Sequence, residues 1–282
     1  MNTEKRKLEI CIISDLHLGT YGCHAEELHD YLSSIEPEIL VLNGDIIDIW
    51  QFSKNYWPKS HMKVINRILK MISQGVKVYY ITGNHDELLR RFTDFKLGDF
   101  TLSNKLILEL PHGRKAWIFH GDVFDITMKN SKWLAKLGGK GYDMLIVMNR
   151  VLNHLLESLG SEKISFSKKV KDSVKQAVKF ISDFESTAAE MAIYHGYDYV
   201  ICGHIHQPKM MEWQGKTGKV FYLNSGDWVE NCTALEFVNG DWSLYKHVAK
   251  PKLVLEDDPE DQLGENIAEE FQPVLDLVRS IV

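Results

Sequence analysis

Short apolar runs recur along the chain and predict buried β-strands. The runs are four to seven residues long and several are rich in β-branched residues: Leu8–Ile13, Ile39–Leu42, Val76–Thr82, Ala116–Phe119, Tyr199–Cys202 and Val220–Asn224. Hydrophobicity that continues through a run, instead of alternating, is typical of strands covered on both faces. Between the runs, helical spacing of apolar residues predicts helices over Glu26–Ile35 and Met62–Gln74, the second ending before Gly75. This alternation of strands and helices predicts an α/β fold.

The segment from residue 124 to 195 departs from this alternation, because it has few strand signals. Leu and Met recur at three- and four-residue spacings between Trp133 and Leu159. Residues 129–180 hold eleven Lys or Arg and four Asp or Glu, a local charge of about +7. We therefore predict a helical insertion. Its Leu-rich stripe either packs inward as core or forms an apolar groove, and its lysines are either solvated or meet an anionic surface.

The C-terminal residues 251–282 form a second departure. They are acid-rich from Glu256 to Asp261, and they carry several apolar side chains from Ile267 to Val282. The tail is therefore predicted to be either a flexible linker or a docked helix.

Composition limits the classes of function. The chain has 282 residues, 44% of them hydrophobic, which suits one large α/β domain with an insertion. The formal net charge of −6 argues against nucleic-acid binding, which usually shows a basic balance. No apolar run reaches the roughly 18–20 residues of a membrane-spanning helix, and the charged start Met1–Lys7 is unlike a signal peptide. The four cysteines show no metal-ligand spacing, so we expect reduced thiols in a cytoplasmic protein.

Polar side chains follow five of the apolar runs in short motifs. The motifs are Asp15-Leu16-His17, Gly44-Asp45, Gly83-Asn84-His85-Asp86, His120-Gly121-Asp122 and Gly203-His204-Ile205-His206. Taken singly, such residues are usually helix caps, turns or surface histidines. Their joint occurrence after predicted strands places them at the carboxyl edge of a sheet. Oxygen and imidazole ligands without a thiolate suit Mn²⁺, Fe²⁺ or Zn²⁺.

In this order, the motifs resemble those of the calcineurin-like metallophosphoesterase family, over roughly residues 8–231. The resemblance implies a β-sandwich flanked by helices, in four α/β/β/α layers. It also makes the insertion a helical lid over the site. We therefore predict a metallophosphoesterase domain at residues 1–250 that includes the insertion at 124–195, followed by the acidic tail at 251–282.

The resemblance also implies a ligand set for two divalent metal ions, for which we favour Mn²⁺ over Fe²⁺ or Zn²⁺. The first ion is expected to take Asp15, His17, Asp45 and His206, and the second Asp45, Asn84, His120 and His204. Asp45 then bridges both ions. A pair of metals roughly 3.5–4 Å apart activates a bridging hydroxide for in-line attack on phosphorus, which predicts a phosphoester hydrolase.

Further residues of the motifs suggest supporting roles. His85 follows a ligand without being one, and we expect it to act as a general acid at the leaving oxygen. Asp86 is expected to orient His85 and raise its pKa, or to cap the helix that follows. Asp48 and Asp122 are expected to orient ligands. Two sets of alternatives stay open. Arg90 and Arg91 either contact a substrate phosphate or are solvated, and Asp227 and Trp228 either contact the substrate or form a turn beside the site.

Within the superfamily, the chain is most similar to the UDP-2,3-diacylglucosamine pyrophosphatase group. The stretches that carry this likeness are Ser14–Gly19, Gly44–Trp50, His120–Asp122 and Gly226–Trp228. The group cleaves a nucleotide-linked diacyl sugar in lipid A synthesis, which implies a lipid-linked nucleotide as substrate and peripheral contact with the inner face of the membrane through the insertion. His85 stands where the group has arginine. The alternatives are hydrolysis of a soluble phosphomonoester or phosphodiester, and a scaffold without catalysis.

Overall fold

The computed structural model describes residues 5–49, 56–124 and 168–248, with the backbone alone for residues 168–177. Its strands are β1 Arg6–Ile13, β2 Ile35–Asn43, β3 Lys77–Ile81, β4 Lys96–Leu97, β5 Phe100–Ser103, β6 Leu106–Glu109, β7 Lys115–Ile118, β8 Tyr199–Cys202, β9 Lys209–Gln214, β10 Lys219–Asn224, β11 Thr233–Val238 and β12 Asp241–Lys246. Its helices are α1 Ala25–Ser33, α2 Lys59–Ser73 and α3 Lys168–Tyr194. All six predicted strands and both predicted helices are present, within a few residues of their expected bounds.

The strands form two mixed sheets. The first has seven strands in the order β12-β11-β1-β2-β3-β5-β4, and the second has five in the order β6-β7-β8-β10-β9. Strands β1, β2, β3 and β5 run parallel in the first sheet, as do β7, β8 and β10 in the second. The carboxyl ends of these parallel strands therefore gather at one edge of each sheet.

Three apolar layers hold the sandwich together. One lies between α1, α2 and the first sheet and includes Leu28 and Met71. A second lies between the two sheets and includes Ile12 and Ile201. The third lies between the second sheet and α3. Strand β1 contributes to the first two layers, with alternate residues pointing to opposite faces, and this explains its unbroken hydrophobicity. The prediction of a four-layer α/β/β/α sandwich is confirmed.

Helix α3 belongs to the sandwich over its C-terminal half. Phe184, Ala188 and Ala192 are fully buried in the third layer, against residues of β8 and β10. This part of the predicted insertion at 124–195 is therefore a flanking helix of the fold. The remaining residues, 125–167, lie outside the described part of the chain, and so does the predicted tail at 251–282.

The four cysteines are free, and Cys11 and Cys202 are fully buried. Within the described residues, no helix combines the length and the apolar character needed to cross a membrane.

Candidate metal centre

The seven residues predicted as ligands all follow strand ends. Asp15 and His17 follow β1, Asp45 follows β2, Asn84 follows β3, His120 follows β7, and His204 and His206 follow β8. The first four come from the seven-stranded sheet and the last three from the five-stranded sheet. The site therefore lies where the carboxyl edges of the two sheets meet.

The structure brings six of these side chains into two groups. Asp15, His17 and His206 form one, and Asp45, His120 and His204 form the other; within each, ligand atoms lie within 4.8 Å of one another. His206 Nε2 is 3.2 Å from Oδ1 of Asp15, and His120 Nε2 is 3.2 Å from Oδ2 of Asp45. These His/Asp clusters are consistent with a dinuclear metal centre.

Five of the seven residues have left-handed backbone conformations, which non-glycine residues seldom adopt. They are Asp15, His17, Asp45, His204 and His206, with φ between 51° and 69°. Asp15 and His17 therefore face the same group from a turn of left-handed backbone, not from extended chain. Their orientation is set by two backbone hydrogen bonds of 3.0 Å, from Asp15 N to the Gly44 carbonyl and from His17 N to the Asp45 carbonyl. Strained backbone of this kind persists only where the surroundings hold it.

Glycines in the motifs allow the carboxylates to approach the backbone. A Cβ atom at Gly83 would overlap the carboxylate of Asp45, and one at Gly203 would lie 2.6 Å from Oδ2 of Asp15. That same oxygen accepts a hydrogen bond of 3.0 Å from His204 N. A side chain at either glycine would displace a predicted ligand.

Three buried polar atoms test whether the residues present fit a metal. Asp15 Oδ1, Asn84 Oδ1 and His120 Nε2 make no hydrogen bond of good geometry among the described residues, although the first and the last lie 3.2 Å from His206 Nε2 and Asp45 Oδ2. Such orphaned atoms are rare in protein interiors, and ligation of a cation would satisfy all three. His120 Nδ1 donates to the Asn43 carbonyl at 2.9 Å, which fixes the tautomer with Nε2 as the ligating atom. These donors fit divalent metal ions.

The shifted pKa values of the site also favour bound cations. Burial acts to raise the pKa of Asp15, but His206 and His120 lower it to about 2. Conversely, burial acts to lower the pKa of His206, but Asp15 raises it to about 9. The buried carboxylates thus favour positive charge between them, which divalent cations would supply.

His85 is held by Asp48, and the expectation that Asp86 orients it is wrong. His85 Nδ1 donates to Oδ2 of Asp48 at 3.0 Å, and the same carboxylate oxygen lies 3.9 Å from His17 Nδ1. Burial acts to lower the pKa of His85, but its hydrogen bond to Asp48 and the charge of Asp45 raise it overall. Asp48 thus steadies two histidines of the site.

The Asp86 carboxylate instead holds the backbone of two turns through hydrogen bonds. Its carboxylate accepts hydrogen bonds from Tyr80 Oη at 2.7 Å, Ile46 N at 3.0 Å and Gly83 N at 2.5 Å. It also precedes the 3₁₀ helix Glu87–Phe92, without a side-chain capping bond. Fully buried, it ties the Asp45 turn to the end of β3, and its surroundings explain why it does not reach His85.

The two arginines after the third motif differ. Arg90 Nη2 donates to Oδ2 of Asp122 at 2.5 Å, so the hydrogen-bond partner of Asp122 is this arginine. Arg91 is exposed. Asp122 remains close enough to His120 to help raise its pKa, against the lowering effect of burial.

Asp227 and Trp228 lie in a turn beside the site, and both side chains are fully buried. Asp227 Oδ1 accepts hydrogen bonds from the backbone of Val229 at 2.8 Å and Asn231 at 3.2 Å. Its Oδ2 lies 4.0 Å from His206 Nδ1. Trp228 packs on Tyr31 in the core, with ring centroids 5.3 Å apart. These contacts favour the alternative of a turn beside the site.

Sequence reasoning missed the residues that steady the ligands. Tyr80 and Asn43 reach Asp86 and His120 from the ends of β3 and β2, and Phe184 of α3 lies 6.1 Å from the His204 ring. Nothing in the sequence separates these residues from ordinary core positions. Only the place of Tyr80 and Asn43 near the ends of ligand-bearing strands hints at their role.

A two-sheet sandwich with His/Asp clusters at its carboxyl edge is the arrangement of a metal-dependent hydrolase. Residues 8–208 match the Calcineurin-like phosphoesterase family, and the chain belongs to that family, as predicted. It is a metallophosphoesterase with candidate sites for two metals.

Among its relatives are UDP-2,3-diacylglucosamine hydrolases. The enzyme of Aliivibrio fischeri (strain MJ11) is 25% identical over 246 residues, covering 85% of this chain and 98% of the relative. That of Blochmanniella pennsylvanica (strain BPEN) is 26% identical over 206 residues, covering 71% and 80%. A solved archaeal phosphodiesterase is 14% identical with a TM-score of 0.40, covering 84% of this chain and 98% of that one.

Proposed function

We propose that this protein hydrolyses a phosphoric anhydride, the pyrophosphate of UDP-2,3-diacylglucosamine or of a related nucleotide-linked amphiphile. The observation that carries the proposal is the pair of ligand groups, each with a buried carboxylate and two imidazoles, at the joined edges of the two sheets. Held there, two divalent ions would activate water and neutralise the charge on the phosphoryl oxygens. We favour Mn²⁺, because the donors are oxygen and nitrogen.

The chain's own residues hold and orient the reacting groups. We assign to Asp45 the role of bridging the two ions. Its Oδ2 approaches His120, and its Oδ1 accepts a hydrogen bond of 2.8 Å from His85 N. Since Nδ1 of His85 donates to Asp48, Nε2 is the atom that carries a proton to the leaving oxygen. The raised pKa of His85 favours the protonated ring that this role requires.

The distant similarity to UDP-2,3-diacylglucosamine hydrolases over most of the chain supports the choice of substrate. On this proposal, the basic segment that includes residues 129–167, outside the described part, receives the acyl chains and meets the inner face of the membrane. The protein would then work in the cytoplasm, bound peripherally.

A second candidate is hydrolysis of a soluble phosphomonoester or phosphodiester. It is favoured by His85, which stands where the diacylglucosamine group has arginine and which is held by Asp48 at 3.0 Å. A histidine with a carboxylate partner is a general acid that serves many leaving groups.

Release of UMP from UDP-2,3-diacylglucosamine by the purified full-length protein, with Mn²⁺, tests the first candidate. Bis(p-nitrophenyl) phosphate, assayed beside it, tests the second. Hydrolysis of the chromogenic diester alone would favour the soluble substrate. Failure on both, with intact protein and bound metal, would contradict the hydrolytic function and leave the scaffold.

A further inference from the structure

Three large apolar side chains are exposed in one short stretch of the chain, between the third motif and β5. Phe92 is 58% exposed, Phe95 51% and Leu97 68%. Single exposed apolar residues are common on protein surfaces, but a contiguous group of them marks a contact with another molecule. The question is therefore whether these three side chains form one surface.

Backbone hydrogen bonds bring the three residues together. Phe95 N donates to the Phe92 carbonyl at 3.1 Å, and this turn keeps their Cα atoms within about 7 Å. Leu97 pairs with Phe100 across the β4–β5 hairpin. Leu102 N donates to the Phe95 carbonyl at 2.9 Å, so Phe95 lies opposite Leu102. Residues opposite each other in an antiparallel pair share a face of the sheet, here the face of the first apolar layer.

Phe92, Phe95 and Leu97 thus continue that layer past the edge of the seven-stranded sheet, and we call them the edge patch. Its backbone is fixed. The hairpin turns at Gly98-Asp99, where Gly98 supplies a left-handed φ of 57°. Beside Phe92, the N and Oγ1 atoms of Thr93 donate to the Arg90 carbonyl at 3.3 and 2.8 Å. The edge patch is therefore preorganised for a contact.

The size of the edge patch favours a lipid surface over a protein partner. If each side chain offers about 200 Å², the exposed fractions leave roughly 350 Å² of apolar surface. A stable protein interface needs about 800 Å² on each partner. A bilayer sets no such minimum, because a few aromatic and leucine side chains that dip into its interface add to whatever other attachment exists.

The charges near the edge patch agree with this partner. Between residues 91 and 99, two cations and two anions are exposed and balance each other: Arg91, Lys96, Asp94 and Asp99. The chain enters the basic segment, residues 129–180, shortly after Asp122, which accepts a hydrogen bond of 2.5 Å from Arg90. An anionic bilayer complements the charge of that segment, whereas the edge patch adds an apolar contact that does not depend on the charge of the lipid.

We propose that the edge patch inserts into the interface of a lipid bilayer and anchors the protein there together with the basic segment. The inference rests on the proposed function for the membrane-borne substrate, and it deepens that function by naming a second contact surface, outside residues 129–167. Vesicle binding tests it without any hydrolysis.

The experiment uses the full-length protein and measures flotation with vesicles of phosphatidylcholine, alone or mixed with phosphatidylglycerol. We expect the double variant Phe92→Ser/Phe95→Ser to weaken binding to both kinds of vesicle by about tenfold or more, because it removes apolar surface whatever the lipid charge. Leu97→Trp should strengthen binding about threefold or more, since tryptophan favours the membrane interface. A gain of this kind cannot result from misfolding.

Tyr194 offers a matched control. It is an aromatic side chain, 84% exposed, at the end of α3, which packs on the other sheet. Tyr194→Ser and Tyr194→Trp should bind vesicles as wild type does. In all four variants, the melting temperature and the turnover of bis(p-nitrophenyl) phosphate should match wild type, because the edge patch contains no predicted ligand.

Several results would overturn the proposal. One is vesicle binding that is absent in wild type or unchanged in the double variant. A lower melting temperature with unchanged binding would mean that another part of this chain covers the edge patch. Light scattering that shows a wild-type dimer and a monomeric double variant would assign the surface to a second copy. If wild type binds vesicles through the edge patch but hydrolyses no substrate, the hydrolytic function fails and the anchor stands.

Discussion

Asp48 Oδ2 accepts the Nδ1 proton of His85 at 3.0 Å, although the two residues come from different strand ends. The contact links the turn after β2 to the turn after β3, and it lets one carboxylate orient a histidine that binds no metal in our assignment. We expect Asp48→Ala to lower kcat by about 10–100-fold, the usual effect of removing an orienting partner. Added to His85→Ala, it should cost little more. Additive losses would contradict a shared role.

His85→Ala should slow turnover by about 10²–10⁴-fold, as expected for loss of a general acid, with its bound metal retained. Steady-state kinetics and metal analysis of the same preparation provide the two measurements. A variant that loses metal as well would show that His85 is a ligand.

Asp45→Asn should remove hydrolysis and reduce the content of both ions, because it deletes the carboxylate charge that we assign to both. Chelation of wild type should abolish activity, and added Mn²⁺ should restore it. Activity that survives chelation in metal-free protein would rule out the proposed centre.

Trp228→Ala should destabilise the fold by about 3–5 kcal/mol, because the ring is fully buried against Tyr31. Urea unfolding measures this effect. Trp228→Phe should cost less and leave KM for every substrate unchanged. A raised KM in the phenylalanine variant would revive the idea of a substrate contact.

Protonation of His61 should lower the free energy of unfolding in mild acid. Its buried ring accepts a hydrogen bond of 2.9 Å from Gly19 N, and burial lowers its pKa from 6.5 to about 4. The folded state favours the neutral ring. The contribution of His61 to the free energy of unfolding is therefore complete above pH 6.5 and is lost as the pH falls toward 4. Between pH 7 and 5 the loss should be about 2 kcal/mol in urea unfolding. His61→Gln should flatten this slope; an unchanged slope would assign the pH dependence to other groups.

The fold and the candidate ligands could be predicted because both depend on local pattern. Continuous apolar runs marked the strands buried on two faces, and the ligands follow directly where these strands end. Six of the described strands were not predicted: β4, β5, β6, β9, β11 and β12. Strand β9 gives no apolar run, since its residues alternate between half-buried and exposed. The short β4 also lacked a signal, as both of its residues are exposed.

The partners of His85 and Arg90 could not be predicted for a different reason. Asp86 adjoins His85 in sequence, but the turn directs its carboxylate to Tyr80 and to backbone N–H groups. The actual partners, Asp48 and Asp122, are 37 and 32 residues away. Such pairings depend on how loops from several strands converge, which spacing along one chain does not encode.

Each ligand group takes residues from both sheets, so the distance between its members is also a distance between the sheets. A small slide of one sheet over the other would separate Asp15 from His206 and Asp45 from His120 together. Residues such as Ile12 and Ile201, which pack between the sheets, therefore set the spacing of the ligand groups without being part of them. Changes of volume in that layer should tune metal affinity and rate before they unfold the protein.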